Sequence, residues 1–273
     1  MAETCYRHPD RETGVACSNC GRPICPDCMT PSPVGMRCPE CSRQRTKVIR
    51  GSGGVGVAGS SPATYTLIAI NALAFLVELG LGTGGLNGGG TVINDLGLRG
   101  TSVADGEYYR ILTGGFLHAG LLHIGFNMFA LYVIGRILEP GIGTVRFVFL
   151  YFASLLAGSL GALLLTDPGQ VTVGASGAIF GIFGAMFVIA RARGLSALAG
   201  EIGVLLLINL ALTFGIPGIS IGGHLGGLIG GMACALVITL GERGAFGPHR
   251  TSAELGLMAL IGLAAAAGCV AVV

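Results

Sequence analysis

The sequence predicts an all-α, polytopic membrane protein of about seven helices, preceded by a small zinc-binding module. Three observations carry that prediction. From about residue 63 onward, apolar stretches near 20 residues long repeat, each long enough to cross a hydrocarbon core of about 30 Å as a helix. Only 11% of the 273 residues are charged, against about a quarter in ordinary soluble domains. Seven of the nine cysteines fall within residues 1–45, a polar stretch with its own spacing pattern. The 49 glycines follow no Gly-X-Y period and suit a membrane bundle, because helices in lipid associate through close contact of small residues.

Composition divides the chain into a module (1–45), a linker (46–62) and a membrane domain (63–273). In the module, Cys5-x2-His8, Cys17-x2-Cys20, Cys25-x2-Cys28 and Cys38-x2-Cys41 follow one another. Two-residue spacing lets both side chains of one tight turn reach one metal, and four such pairs supply the ligands of two closed tetrahedral zinc sites. Asn19, Gly21 and Pro23 favour those turns. A disulfide framework is the alternative, but the charge pattern described below puts this segment in a reducing cytosol, where disulfides seldom persist. The segment resembles a B-box-type zinc finger. That resemblance implies a cross-brace in which the first and third pairs share one metal and the second and fourth the other. Closed sites leave no position for chemistry, so the expected role is structural, or the binding of a cytoplasmic protein partner. A domain this small has little core of its own, so metal is expected to drive its folding.

The linker, TKVIRGSGGVGVAGSSP, is basic and then Gly/Ser-rich, a composition expected to be flexible. The first 50 residues show no basic start followed by an apolar core, so the first apolar helix is expected to act as an uncleaved anchor.

Seven spans are expected at about 63–81, 121–139, 145–166, 174–191, 199–216, 220–240 and 253–272. The long loop at 82–120 contains GTGGLNGGG and then a partly apolar, amphipathic stretch suited to the membrane surface. With the N-terminus inside, fourteen of the 16 basic residues fall on the inner side, and only Arg99 and Arg110 fall outside. The short loops alone place Arg136, Arg146, Arg191, Arg193, Arg243 and Arg250 inside. The expected protein is therefore multi-pass, N-terminus cytoplasmic and C-terminus outside, in the plasma membrane. A net charge of +2 argues against nucleic acid as a partner.

Polar side chains in such spans are costly and invite a functional reading. Spans two, four and six all start on the outer side. Near those starts lie His118, His123 and Asn127, then Ser176 in VGASGAIFG, then His224. Gly177, Gly181 and Gly184 make a small face on span four, as do Gly223, Gly227 and Gly231 on span six. Close packing of these faces would bring Ser176 to His224, a base that a serine hydroxyl needs at neutral pH. The outer halves of both spans lack Asp and Glu, so the unit would be a dyad. His123 and Asn127, four apart on one face, would stabilise an oxyanion together with the Ser176 amide. Each feature alone has a plainer reading: helix packing for the serine, a satisfied core position for the histidine, interhelical glue for the asparagine. Asn71 and Asn209 are expected to hydrogen-bond across helices, and Glu139, near Arg136, to tie down the inner end of span two.

Residues 63–273 closely resemble the rhomboid family of intramembrane serine proteases. The resemblance rests on HAGLLHIGFN (His118, His123, Asn127), on GASG (Gly174–Gly177), and on GGHLGGLIGG with His224 ahead of Gly227 and Gly231. It implies Ser176 as nucleophile, His224 as general base and acid, His123 and Asn127 in the oxyanion hole, and a six-helix core with a seventh C-terminal helix. It further implies transmembrane proteins as substrates and no cofactor for catalysis. Two positions depart from the family pattern. Tyr109-Arg110 stands where Trp-Arg is common, and Phe180 stands where a tyrosine often packs on the catalytic histidine.

Other protease classes fail on composition. The single lysine, Lys47, lies in the linker, no HExxH occurs, and no pair of membrane-embedded aspartates exists. A transporter relaying protons through His123 and His224 is the main non-enzyme alternative. An inactive relative that binds membrane clients is a second.

Overall fold

The computed structural model describes residues 3–32, 35–43, 60–81, 86 and 89–273. Most of the expected linker, and most of GTGGLNGGG, lie outside the described residues. The chain divides into two compact units, Met1–Ser52 and Gly53–Val273.

In the first unit, β1 (Glu3–Cys5) pairs antiparallel with β2 (His8–Thr13), and β3 (Thr30–Ser32) with β4 (Gly35–Arg37); α1 (Pro39–Arg43) follows. Among the described residues of this unit the buried ones are six cysteines and Ile24, with Tyr6 and Met29 packed on them. One buried aliphatic side chain is too little apolar area to offset the ordering of some forty residues.

The second unit is a helical bundle: α2 (Pro62–Leu81), three short helices α3 (Thr91–Leu96), α4 (Gly100–Ala104) and α5 (Arg110–Thr113), then α6 (Leu121–Ile142), α7 (Thr144–Leu165), α8 (Ser176–Ala192), α9 (Ser196–Gly215), α10 (Ile221–Glu242) and α11 (Arg250–Ala271). Among the described residues six helices are long and apolar enough to cross a membrane; α8, with 17 residues, is shorter. Each expected span matches one of these helices to within a few residues.

Glycine decides the packing at the centre. A Cβ on Gly227 would fall 1.9 Å from the carbonyl oxygen of Gly177, and one on Gly231 would fall 2.1 Å from that of Gly181. The α8 and α10 backbones thus touch, as the two small faces predict. Unforeseen is a third participant, α7: a Cβ on Gly222 would lie 2.0 Å from the Gly161 oxygen. Around this contact lie Phe147, Leu150 and Tyr151 of α7, Leu131 and Ile134 of α6, and Phe180 and Ile182 of α8, all buried. Eleven of the 17 residues of α8 are buried, so this short helix is enclosed by its longer neighbours.

Two expectations need correcting. The Asn209 side chain donates to the carbonyl of Leu205, one turn back in its own helix, at 2.8 Å; Asn71 likewise donates to Leu67 at 2.8 Å, but its side chain also meets the Tyr151 hydroxyl of α7, across helices as expected. An amide side chain in an apolar span meets its own backbone acceptor first, at the lowest entropic cost. Glu139 does tie down the end of α6, but not through Arg136, which bonds Tyr132 instead. Its fully buried carboxylate accepts from the amides of Ala63 (3.0 Å) and Thr64 (2.8 Å) and from the hydroxyls of Thr64 (2.7 Å) and Thr144 (2.9 Å). Four donors satisfy the buried carboxylate, and they include amides of the first turn of α2, which lack helical partners.

Candidate active site and metal-binding clusters

The segment entering α8 is held from outside. Leu98 and Thr172 exchange two backbone bonds, 3.0 and 2.8 Å, and the Gly174 amide donates to the Gly114 carbonyl at 2.9 Å. The loop at 89–120 is therefore folded against this segment. Arg110 secures it from within, donating to the carbonyls of Asn94 (2.7 Å) and Gly97 (2.9 Å) and pairing with Glu107. The same guanidinium holds the Glu107 carboxyl below its usual range. Gly174 has φ +131°, a conformation that a side chain would strain, and Ser176 follows as the first residue of α8. The Ser176 amide has no partner among the described residues, as expected for the first turn of a helix.

Gly174 also opens the site. A Cβ there would lie 2.8 Å from Nε2 of His123 and 3.5 Å from Oγ of Ser176, so its absence leaves a shared space between the two groups. Nδ1 of His123 accepts the Ala119 amide hydrogen at 3.1 Å, which puts the ring proton on Nε2, facing that space. Asn127, one turn along α6, spends one amide hydrogen on the His123 carbonyl (2.9 Å) and keeps the other.

His224 sits in the first turns of α10, whose start Ser220 caps by accepting the Gly223 amide at 3.0 Å. Its ring stacks on Phe180 with centroids 4.0 Å apart and planes 19° off parallel. Phenylalanine thus takes the stacking position without a hydroxyl. Nδ1 of His224 lies 2.7 Å from Oγ1 of Thr213 in α9. Among the described residues no hydrogen bond joins Ser176 to His224, although Phe180 is one turn beyond Ser176 on the same helix.

His118, singled out in the sequence, also builds this end of the bundle. It is fully buried and meets the His123 ring edge-on at 5.1 Å. Its amide donates to Glu78 of α2 at 3.0 Å. Thr213, Gly114 and the Leu98–Thr172 bridge were unforeseen. Of these only Thr213 carried a signal, a hydroxyl near the end of one apolar span just before a Pro-Gly turn into the histidine's span.

In the first unit, Cys5, His8, Cys25 and Cys28 form one cluster and Cys17, Cys20, Cys38 and Cys41 another, with donor atoms within 4.8 Å of one another. First pairs with third and second with fourth. Nδ1 of His8 lies 3.4, 3.5 and 3.8 Å from the sulfurs of Cys25, Cys28 and Cys5, and Cys20 Sγ lies 3.8 Å from Cys38 Sγ. A tetrahedron with metal–sulfur bonds of about 2.3 Å and metal–nitrogen bonds of about 2.0–2.1 Å has edges of about 3.5–3.8 Å, close to these four separations. All described cysteines are free thiols, and 3.8 Å is far beyond a disulfide bond of about 2.05 Å. Backbone amides support the sulfurs. The Cys38 amide donates to Cys17 Sγ at 3.2 Å and holds that thiol down at about 6, whereas burial pushes Cys38 up to about 12.

Residues 105–240 match the Rhomboid domain. The Rhomboid protease GluP of Bacillus subtilis (strain 168) is 36% identical over 212 residues, which cover 75% of this chain and 40% of that protein. The Putative rhomboid protease YdcA of the same organism is 36% identical over 134 residues, 47% of this chain and 66% of its own. RHOMBOID-like protein 6, mitochondrial, of Arabidopsis thaliana is 32% identical over 161 residues, 58% of this chain and 52% of its own. The chain thus spans between 40% and 66% of the length of these relatives.

Proposed function

We propose that this chain, whose residues 105–240 match the Rhomboid domain, is a rhomboid-type intramembrane serine endopeptidase acting on transmembrane segments of other membrane proteins. One observation carries the reading: His123 Nε2 and Ser176 Oγ border the same space beside Gly174, with His224 stacked one helical turn away on Phe180.

In this reading Oγ of Ser176 attacks the scissile carbonyl while His224 takes its proton. The resulting oxyanion is met by the Ser176 amide, His123 Nε2–H and the free amide hydrogen of Asn127. His224 then returns the proton to the leaving amine as the C–N bond breaks, leaving an acyl ester on Ser176. Water, deprotonated by His224, hydrolyses that ester and restores both groups. Proton transfer in this reading runs through a hydrogen bond from Ser176 Oγ to the His224 ring. Such bonds are commonly long in the absence of substrate.

The charge distribution supports a cytoplasmic N-terminus and an outer C-terminus in the plasma membrane, with fourteen of the 16 basic residues inside. The starts of α6, α8 and α10 then face outward, and cleavage falls near the outer surface. Residues 1–45 form a cytoplasmic B-box-like module with two structural zinc ions, tethered through 46–62 to the membrane domain 63–273. Its closed donor sets suit a cytoplasmic protein partner rather than chemistry.

The test is labelling of the purified full chain with a fluorophosphonate probe. Labelling of the wild type that is lost in Ser176→Ala supports the enzyme; equal labelling of both proteins, or of neither, overturns it.

A further inference from the structure

Thr213 has 2% of its surface exposed and sits at the end of α9, across the Pro217-Gly218 turn from α10. Its Oγ1 lies 2.7 Å from the carbonyl oxygen of Asn209 and 2.7 Å from Nδ1 of His224. A threonine hydroxyl carries one proton, and a carbonyl oxygen can only accept. With the proton given to Asn209, Oγ1 faces Nδ1 as an acceptor, and a short contact there requires the histidine to carry its proton on Nδ1. Nε2 is then left bare. That is the form a general base must have before it can accept a proton from a serine.

We propose that Thr213 is a positioning residue that holds His224 in the Nδ1–H tautomer, so that the candidate dyad is oriented by a third group, a neutral hydroxyl from a separate helix. This rests on the reading of Ser176 and His224 as the reacting pair. Among the described residues no carboxylate bonds to His224, and the hydroxyl takes over the orienting part that an acid plays elsewhere. Its acceptor face suits both states of the ring, because the imidazolium formed during attack still has a proton on Nδ1. Phe180 restrains the ring plane and Thr213 its rotation, so the two contacts together define one ring orientation. The Asn209 carbonyl directs the hydroxyl proton away from the ring; a side chain without Oγ1 would leave both tautomers open.

The experiment uses the full chain in detergent with 15N-labelled histidine, the His224 signals being identified by their loss in His224→Gln. Protonated Nδ1 and bare Nε2 in the wild type, a mixture of tautomers in Thr213→Val, and restoration in Thr213→Ser are the expected results. Turnover of a transmembrane substrate should fall about tenfold to a hundredfold in Thr213→Val, with KM within about twofold, and recover in Thr213→Ser. A wild-type His224 protonated on Nε2 overturns the proposal even if the valine variant does not fold. So does a Thr213→Val spectrum identical to the wild type, or a serine variant no better than valine. Fluorophosphonate labelling of wild type and Ser176→Ala, run on the same preparations, reports separately on the protease reading, because the tautomer is read whether or not the protein cuts.

Discussion

Gly227 of α10 lies so close to Gly177 of α8 that a Cβ on the former would stand 1.9 Å from the carbonyl oxygen of the latter. The contact is backbone to backbone, immediately below Ser176 and His224, and no rotamer can relieve it. Gly227→Ala must therefore separate the two helices that carry the candidate dyad. We expect a loss of about 1–3 kcal/mol in stability, read as a lower unfolding temperature in detergent, together with loss of activity. Gly256→Ala in α11, where nothing lies within 4 Å, should leave both unchanged. Equal behaviour of the two variants would show that the close approach does not hold the bundle.

Ser176 and His224 are expected to act as one unit. Ser176→Ala, His224→Ala and the double variant should then lose nearly the same activity, whereas independent groups would give multiplicative losses. Asn127→Ala removes one donor among three and should cost about a hundredfold in turnover, less than loss of the dyad. Steady-state cleavage of one reporter substrate by all four proteins checks this.

Elemental analysis of the purified full chain should find two zinc ions. Cys25→Ser and Cys38→Ser each disturb a different cluster, so each should reduce the content toward one, and together toward zero. One ion in the wild type would sink the double-site assignment. Substitution in one cluster that empties both would show that the two sites fold as one cooperative unit.

Hydrolysis needs an extended backbone and a water, and an intact transmembrane helix offers neither, because its amides and carbonyls are internally bonded. Substrates should therefore be cut where their helices unwind readily near the outer face. The family resemblance adds small residues at the cut. Replacing Gly and Pro by Leu in the upper part of a substrate helix should suppress cleavage, while the same changes at the cytoplasmic end should matter little. Mass-spectrometric mapping of cut sites to the cytoplasmic half would overturn the orientation or the site.

What could be read from the chain alone was whatever local chemistry controls. The length and apolarity of a span decide that it becomes a membrane helix, so the helices match the expected spans closely. The short spacing of Cys and His pairs decides which donors can share a turn, and the Gly-x3-Gly faces decide where helices are able to touch. His123 with Asn127, Ser176 and His224 stood out because polar groups are expensive in an apolar run. Beyond the α8–α10 pair, partner choice between distant segments was not legible in this way. Only the tertiary structure decided that Thr213 meets His224, that α7 joins the α8–α10 contact, that Glu139 receives the start of α2, and that the first loop grips the approach to Ser176 through Leu98 and Thr172. Those contacts depend on how rigid helices settle against one another in three dimensions, where an ångström of backbone approach selects the neighbour and hydrophobic pattern does not.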